Sequence, residues 1–219
     1  ILRPYSANPL IVSAPPGPKP VSYYVFSNII DRIIPPSLKN SEIKYELDAP
    51  PLSYPSEFFF LMTNFCNARC VFCNQPESKK PAEITLDKFK KMISHIPMRN
   101  VRSFTFSGGG EPLLCRDLFD IIKYVNTFFP HVKKSIRTNG LLIEKFAEDI
   151  AKSNIDNLEI SVHGTEEINN GILQTNKSNA IFNGLALLKE YQKKFDKKIF
   201  KIFCPVISNT NIHEITKLV

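Results

Sequence analysis

The sequence predicts an α/β fold built on a parallel sheet, and three observations carry that prediction. Strand-length apolar runs alternate with helix-period segments from Glu57 onward. Each connection is long enough for a right-handed crossover, which makes neighbouring strands parallel. Every strand is followed by a polar or glycine-rich segment, so these segments gather at one edge of the sheet.

The predicted strands, rich in Phe, Ile and Val, occupy 57–63, 101–107, 133–138, 157–162 and 198–207. Apolar residues at three- and four-residue steps mark one helix through Leu86, Phe89, Met92, Ile93 and Ile96. A second runs through Leu118, Ile121, Ile122 and Val125, and a third through Leu142, Phe146 and Ile150. A fourth runs through Ile181, Leu185, Leu188 and Tyr191, and a fifth begins at Ile212. The main domain is read as 56–219, with five strand–helix units. Residues 1–55 hold eleven of the 17 prolines and are read as a Pro-rich N-terminal extension packed on that domain. Within it, 1–20 reads as extended, 21–34 as a helical apolar stretch and 42–47 as a short strand.

The 43% hydrophobic content sustains a core and excludes global disorder. Apolar runs stop well short of the ~18–20 residues that span a bilayer, so no membrane association is expected. Prolines at 4, 9, 15, 16, 18 and 20 break any signal-peptide pattern, although the start at Ile1 reads as that of an excised piece. The net charge of +7 is scattered: five basic and four acidic residues over 1–55 leave +6 for 56–219. Most of these cations are assigned to solvated helix faces, since no aromatic-interleaved basic motif accompanies them.

Chemistry collects in the loops. After the first strand come Cys66, Cys70 and Cys73; after the second, Gly108, Gly109, Gly110, Glu111 and Pro112. The third strand is followed by Thr138, Asn139 and Gly140, the fourth by Ser161, His163 and Gly164. A disulfide framework would spread its cysteines, whereas three within eight residues suit metal ligation and a reducing, cytoplasmic location. Three thiolates can hold three irons of a cubane cluster and leave the fourth open. Structural zinc is the competing metal, but it wants four closed ligands and no histidine is close in sequence. Cys115 and Cys204 read as small buried hydrophobes, Cys204 within the fifth strand.

The Cys66-x3-Cys70-x2-Cys73 loop, followed one strand later by Gly109-Gly110-Glu111-Pro112, resembles the radical S-adenosylmethionine superfamily over about residues 57–212. The wording of the first loop, from Leu61 to Cys70, is most similar to the branch with molybdenum-cofactor cyclases and peptide- or sulfatase-maturing enzymes of the SPASM or twitch type. The resemblance implies a partial (β/α) barrel of six units, so the chain is expected to be incomplete at its C-terminus. It implies two cofactors, a [4Fe–4S] cluster held by the three cysteines and S-adenosylmethionine bound at its open iron. Reductive cleavage would then give a 5′-deoxyadenosyl radical that abstracts a substrate hydrogen.

By the same resemblance, Gly110 and Glu111 lie against the methionine ammonium, with Gly109 and Gly110 allowing close backbone approach. Phe72 lies beside the adenine, Ser161 matches a ribose- or carboxylate-binding position, and Asn139 with Thr138 resembles a pocket lining. Relatives often carry Asp where His163 stands, and a hydrogen-bonded loop residue is the plain reading of this histidine. The cyclases have an Arg five residues before the Glu; Phe106 stands there, which disfavours a nucleotide substrate. The implied partners are a flavodoxin- or ferredoxin-like electron donor and a small-molecule or peptide substrate. The alternatives are an RNA-modifying enzyme of the same superfamily and a non-catalytic metal or iron–sulfur module.

Overall fold

Five strands pair in sequence order in a computed structural model that describes residues 55–73 and 82–214. The strands are β1 (Glu57–Leu61), β2 (Ser103–Ser107), β3 (Lys133–Thr138), β4 (Asn157–Ile160) and β5 (Phe200–Phe203), all parallel. The helices are α1 (Leu86–Ile93), α2 (Leu118–Phe128), α3 (Ile143–Lys152), α4 (Glu166–Leu173) and α5 (Asn179–Lys194). The expected N-terminal extension lies outside the described residues. So does the end of the expected fifth helix, whose described start at 212–214 consists of turns.

Because the order β1-β2-β3-β4-β5 never reverses, right-handed crossovers all fall on the same face. That is the winding of a β/α barrel rather than of a doubly wound sheet. Side chains alternate accordingly. Phe60, Phe104, Phe106, Ile136, Leu158 and Ile160 are buried against Phe89 of α1, the apolar stripe of α2, and Ile143 and Ile150 of α3. The Phe60 ring meets both Phe89 and Phe104 edge-on at 4.9 Å. Each such fully buried side chain contributes about 1.5–3 kcal/mol relative to exposure.

The opposite face is polar at its centre. Register aligns Thr105 with Ser135 and Ser135 with Asn157, whose Nδ2 donates to the Ser135 hydroxyl at 3.0 Å. One row nearer the strand ends, Arg137 pairs with Glu159 at 2.6 Å and lies over the Phe59 ring. Apolar Phe59 and Leu61 of β1 and Phe200 and Ile202 of β5 flank this centre and are exposed.

Three sequence expectations need correction. Helix α4 occupies a stretch read only as the loop after β4. The fifth strand stops at Phe203: even-numbered residues of β5 donate toward β4, ending with Cys204 N–H on the Ile160 carbonyl, and the next donor, Val206 N–H, turns to His163 Nδ1 instead. Cys204 therefore lies just past the strand and is half-buried, whereas Cys115 is buried in the core as expected. Among the scattered cations, Lys134 lies in a strand, as its place in 133–138 predicts. It is buried in β3 and paired with Asp156 at 3.7 Å.

Candidate functional site

The cysteine loop leaves β1 through a pinned neck. Thr63 bridges Glu83 in antiparallel fashion, and Ile84 N–H donates to the Met62 carbonyl at 2.8 Å. Asn64 clasps Ala82 from both sides, its N–H donating to the Ala82 carbonyl and its side-chain oxygen accepting the Ala82 N–H. Farther along, the N–H groups of Arg69 and Val71 donate to the carbonyls of Leu173 and Ile172. These are last-turn carbonyls of α4, which have no partner within their own helix. The cysteine loop thus caps a helix that lies about a hundred residues later in the chain.

The glycine loop after β2 is stitched to the same segment. Gly110 N–H donates to the Thr63 carbonyl at 2.8 Å and Glu111 N–H to the Phe65 carbonyl at 2.7 Å. A Cβ at Gly110 would stand 1.9 Å from the Phe65 oxygen, so this approach admits only glycine. A cleft beside this stitching is lined by Thr63, Asn64, Glu83, Ile84 and Gly109.

Glu111 turns inward and is 1% exposed. Its Oε1 accepts from Leu113 N–H and the Thr138 hydroxyl, and its Oε2 accepts from Asn139 N–H at 2.8 Å. Burial raises its pKa, while these three donors act in the opposite direction. Asn139 carries the connection onward. Its Nδ2 donates to Asn67 Oδ1 at 2.8 Å and stands 3.8 Å from the Cys66 sulfur. The loops after β1, β2 and β3 therefore form one hydrogen-bonded unit. Ser161 is half-buried at the end of β4, with its N–H on the Thr138 carbonyl.

Cys66 and Cys70 are half-buried and Cys73 is exposed. Burial first, and then charge on Cys66 and Cys73, pushes the Cys70 thiol up to about 11. Burial also raises Cys66. Such thiols release their protons to a strongly cationic partner rather than to solvent. Among the described residues, no three His, Cys, Asp or Glu side chains converge on one ion-sized point. A single zinc, with sulfur at about 2.3 Å, requires that convergence. Thiolates bound to different irons of a cubane stand farther apart, so the triad fits a cluster better than one ion.

Phe72 is exposed, and its ring meets His163 edge-on at 5.4 Å. His163 is buried, and its Nδ1 accepts the Val206 N–H at 3.1 Å. The acceptor role fixes the neutral tautomer with the proton on Nε2, and burial lowers the pKa in keeping with it. Phe106 lies wholly in the core on the helix side, so its identity says nothing about a ligand on the open face. A phenylalanine at this position therefore does not disfavour a nucleotide. Sequence reading assigned no part to Arg69, Asn67 or α4. Thr165 followed by Glu166 and Glu167 was the available signal for the helix, as a cap residue before an acidic first turn.

A parallel sheet wound in barrel order, with a cysteine triad and a glycine loop interlocked at its carboxyl edge, defines the radical S-adenosylmethionine class. The chain belongs to the Radical SAM superfamily, whose family model matches residues 60–219. That family uses a [4Fe–4S] cluster and S-adenosylmethionine, and its members are enzymes. The chain is 27% identical over 180 residues to the FeMo cofactor biosynthesis protein NifB of Methanocaldococcus infernus, covering 69% of this chain and 59% of the relative. It is 33% identical over 102 residues to a probable GTP 3′,8-cyclase of Methanocella arvoryzae, covering 46% and 32%. Among solved structures, Streptococcus suis SuiB bound to S-adenosylmethionine shares the fold with a TM-score of 0.59 at 22% identity, over 90% of this chain and 42% of that one. The chain spans less than two thirds of the length of the curated relatives it matches. No helix among the described residues is long and apolar enough to cross a membrane.

Proposed function

We infer that this chain carries the cofactor half of a radical enzyme that acts on a peptide or small molecule. Cys66, Cys70 and Cys73 each ligate one iron, and the backbone of Gly109 and Gly110 lies against the methionine end of S-adenosylmethionine. A [4Fe–4S] cluster held by these three cysteines would supply the electron for reductive cleavage of S-adenosylmethionine. The chain's own residues bind and orient. Asn139 holds the Cys66 side of the loop, Ser161 offers its hydroxyl to the ribose or carboxylate, and Phe72 lies along the adenine. Glu111 acts from beneath, fixing Thr138 and Asn139 rather than meeting solvent. The exposed Cys73 gives a flavodoxin- or ferredoxin-like reductant its nearest approach.

The single observation that carries this reading is the main-chain stitching of the cysteine loop to the glycine loop, through Gly110 to Thr63 and Glu111 to Phe65. A metal-binding module that used the triad alone would need no glycine loop there. Anaerobic reconstitution with iron and sulfide should give cubane absorption, and dithionite with S-adenosylmethionine should then yield 5′-deoxyadenosine. Stoichiometric zinc without cleavage would overturn the reading. Cys70→Ala should lose most of the bound iron; unchanged iron content would refute the ligand assignment.

A further inference from the structure

His163 touches both ends of the site without belonging to the cofactor set. It follows β4 and is 2% exposed. On one side its Nδ1 accepts the Val206 N–H, and its carbonyl accepts the Asn211 Nδ2 at 2.8 Å. Asn211 is fully buried and donates also to the Val206 carbonyl at 2.7 Å, which locks the 205–211 loop onto His163. On the other side the imidazole stands edge-on to Phe72, 5.4 Å between centroids and 82° between planes. Its main-chain N–H donates to Asn169 Oδ1 in α4, the helix whose last carbonyls hold Arg69 and Val71. Two routes therefore lead from the loop after β5 to the cysteine loop, and both pass through this residue.

The geometry points to His163 as a positioning residue that makes the placement of Phe72, and with it the affinity for S-adenosylmethionine, depend on the docking of the 205–211 loop. This rests on the reading of Phe72 as the adenine neighbour. The loop follows a strand at the same sheet edge as the cofactor residues. A substrate that orders it tightens cofactor binding, and bound cofactor orders the loop by the same factor. The imidazole serves by shape and by its Nδ1 acceptor, not as a base.

Hydrogen exchange on the apo full chain tests this without any cofactor. Asn211→Ala undocks the loop and leaves Phe72 and His163 in place. It should quicken exchange at 205–208 and also, by about tenfold, at 69–73. His163→Asn keeps an acceptor for Val206 but removes the ring, so it should quicken 69–73 and spare 205–208. After reconstitution, both variants should weaken S-adenosylmethionine binding by about fivefold with iron content unchanged. Wild-type exchange at 69–73 in both variants, with 205–208 released in Asn211→Ala, would overturn the proposal. If Asn211→Ala does not fold, His163→Asn decides alone: quickened 69–73 supports the coupling and unchanged 69–73 refutes it. Failure of the radical-enzyme reading would appear separately, as wild-type protein that takes up neither iron nor S-adenosylmethionine.

Discussion

A buried imidazole that accepts a backbone N–H must stay neutral, and His163 sets a pH dependence for the whole fold. Its unfolded pKa is 6.5 and burial lowers the folded value. Between the two, the unfolded chain binds a proton that the native state refuses, so stability rises with pH across that window. The contribution is complete above about pH 6.5 and fades below it, with a slope of at most about 1.4 kcal/mol per pH unit. Glu111, whose raised pKa acts in the opposite sense, is common to both chains, so the urea midpoint of the wild type minus that of His163→Asn should climb from about pH 5 to pH 7. The cysteine triad was legible in the sequence because its spacing is local. His163 was legible as a hydrogen-bonded loop residue but not by its partners, since Val206 and Asn211 lie 43 and 48 residues away. Glu111 was legible as a site residue but not as a buried strut, because only the folded chain brings Thr138 and Asn139 to its carboxylate.

Strands and helices followed the sequence where one periodicity ran long enough. β3 matches its predicted bounds, and the stripe through Leu118, Ile121, Ile122 and Val125 is the buried face of α2. α4 escaped because its eight residues include Asn169, Asn170 and Gly171, which dilute the apolar step. Contact between α3 and α5 shows an element-level constraint that composition hides. Gly184 of α5 sits so close to α3 that a Cβ would stand 2.5 Å from the Glu144 backbone nitrogen. Gly184→Ala gains helix propensity of about 1 kcal/mol but must part the two helices, at a cost of about 1–3 kcal/mol. The variant should lower the thermal midpoint, and a rise would show that the helices part freely.

At the scale of the molecule, the unreversed strand order puts the crossovers on one face and the functional loops at one edge, and among the described residues β5 is paired on one side only. Phe200 is 58% and Ile202 42% exposed on the polar face's far flank. An apolar edge of this kind pairs with other chains. Light scattering of the 219-residue chain should report a mass above 24.9 kDa at micromolar concentration. Phe200→Lys with Ile202→Lys should bring the mass down to the monomer value. The parallel sheet was legible from alternation alone, whereas its unreversed order was implied only by the resemblance to the family. The edge's exposure was not legible, because it depends on what pairs beyond β5. The capping of α4 by the cysteine loop carries a consequence for biogenesis. The thiols leave the ribosome about a hundred residues before the helix whose carbonyls shape their loop. During that interval of synthesis they are unshaped nucleophiles, open to oxidation and to stray metals. The loop shape that these thiols take in the folded chain is complete only once the fourth strand and its helix have been translated.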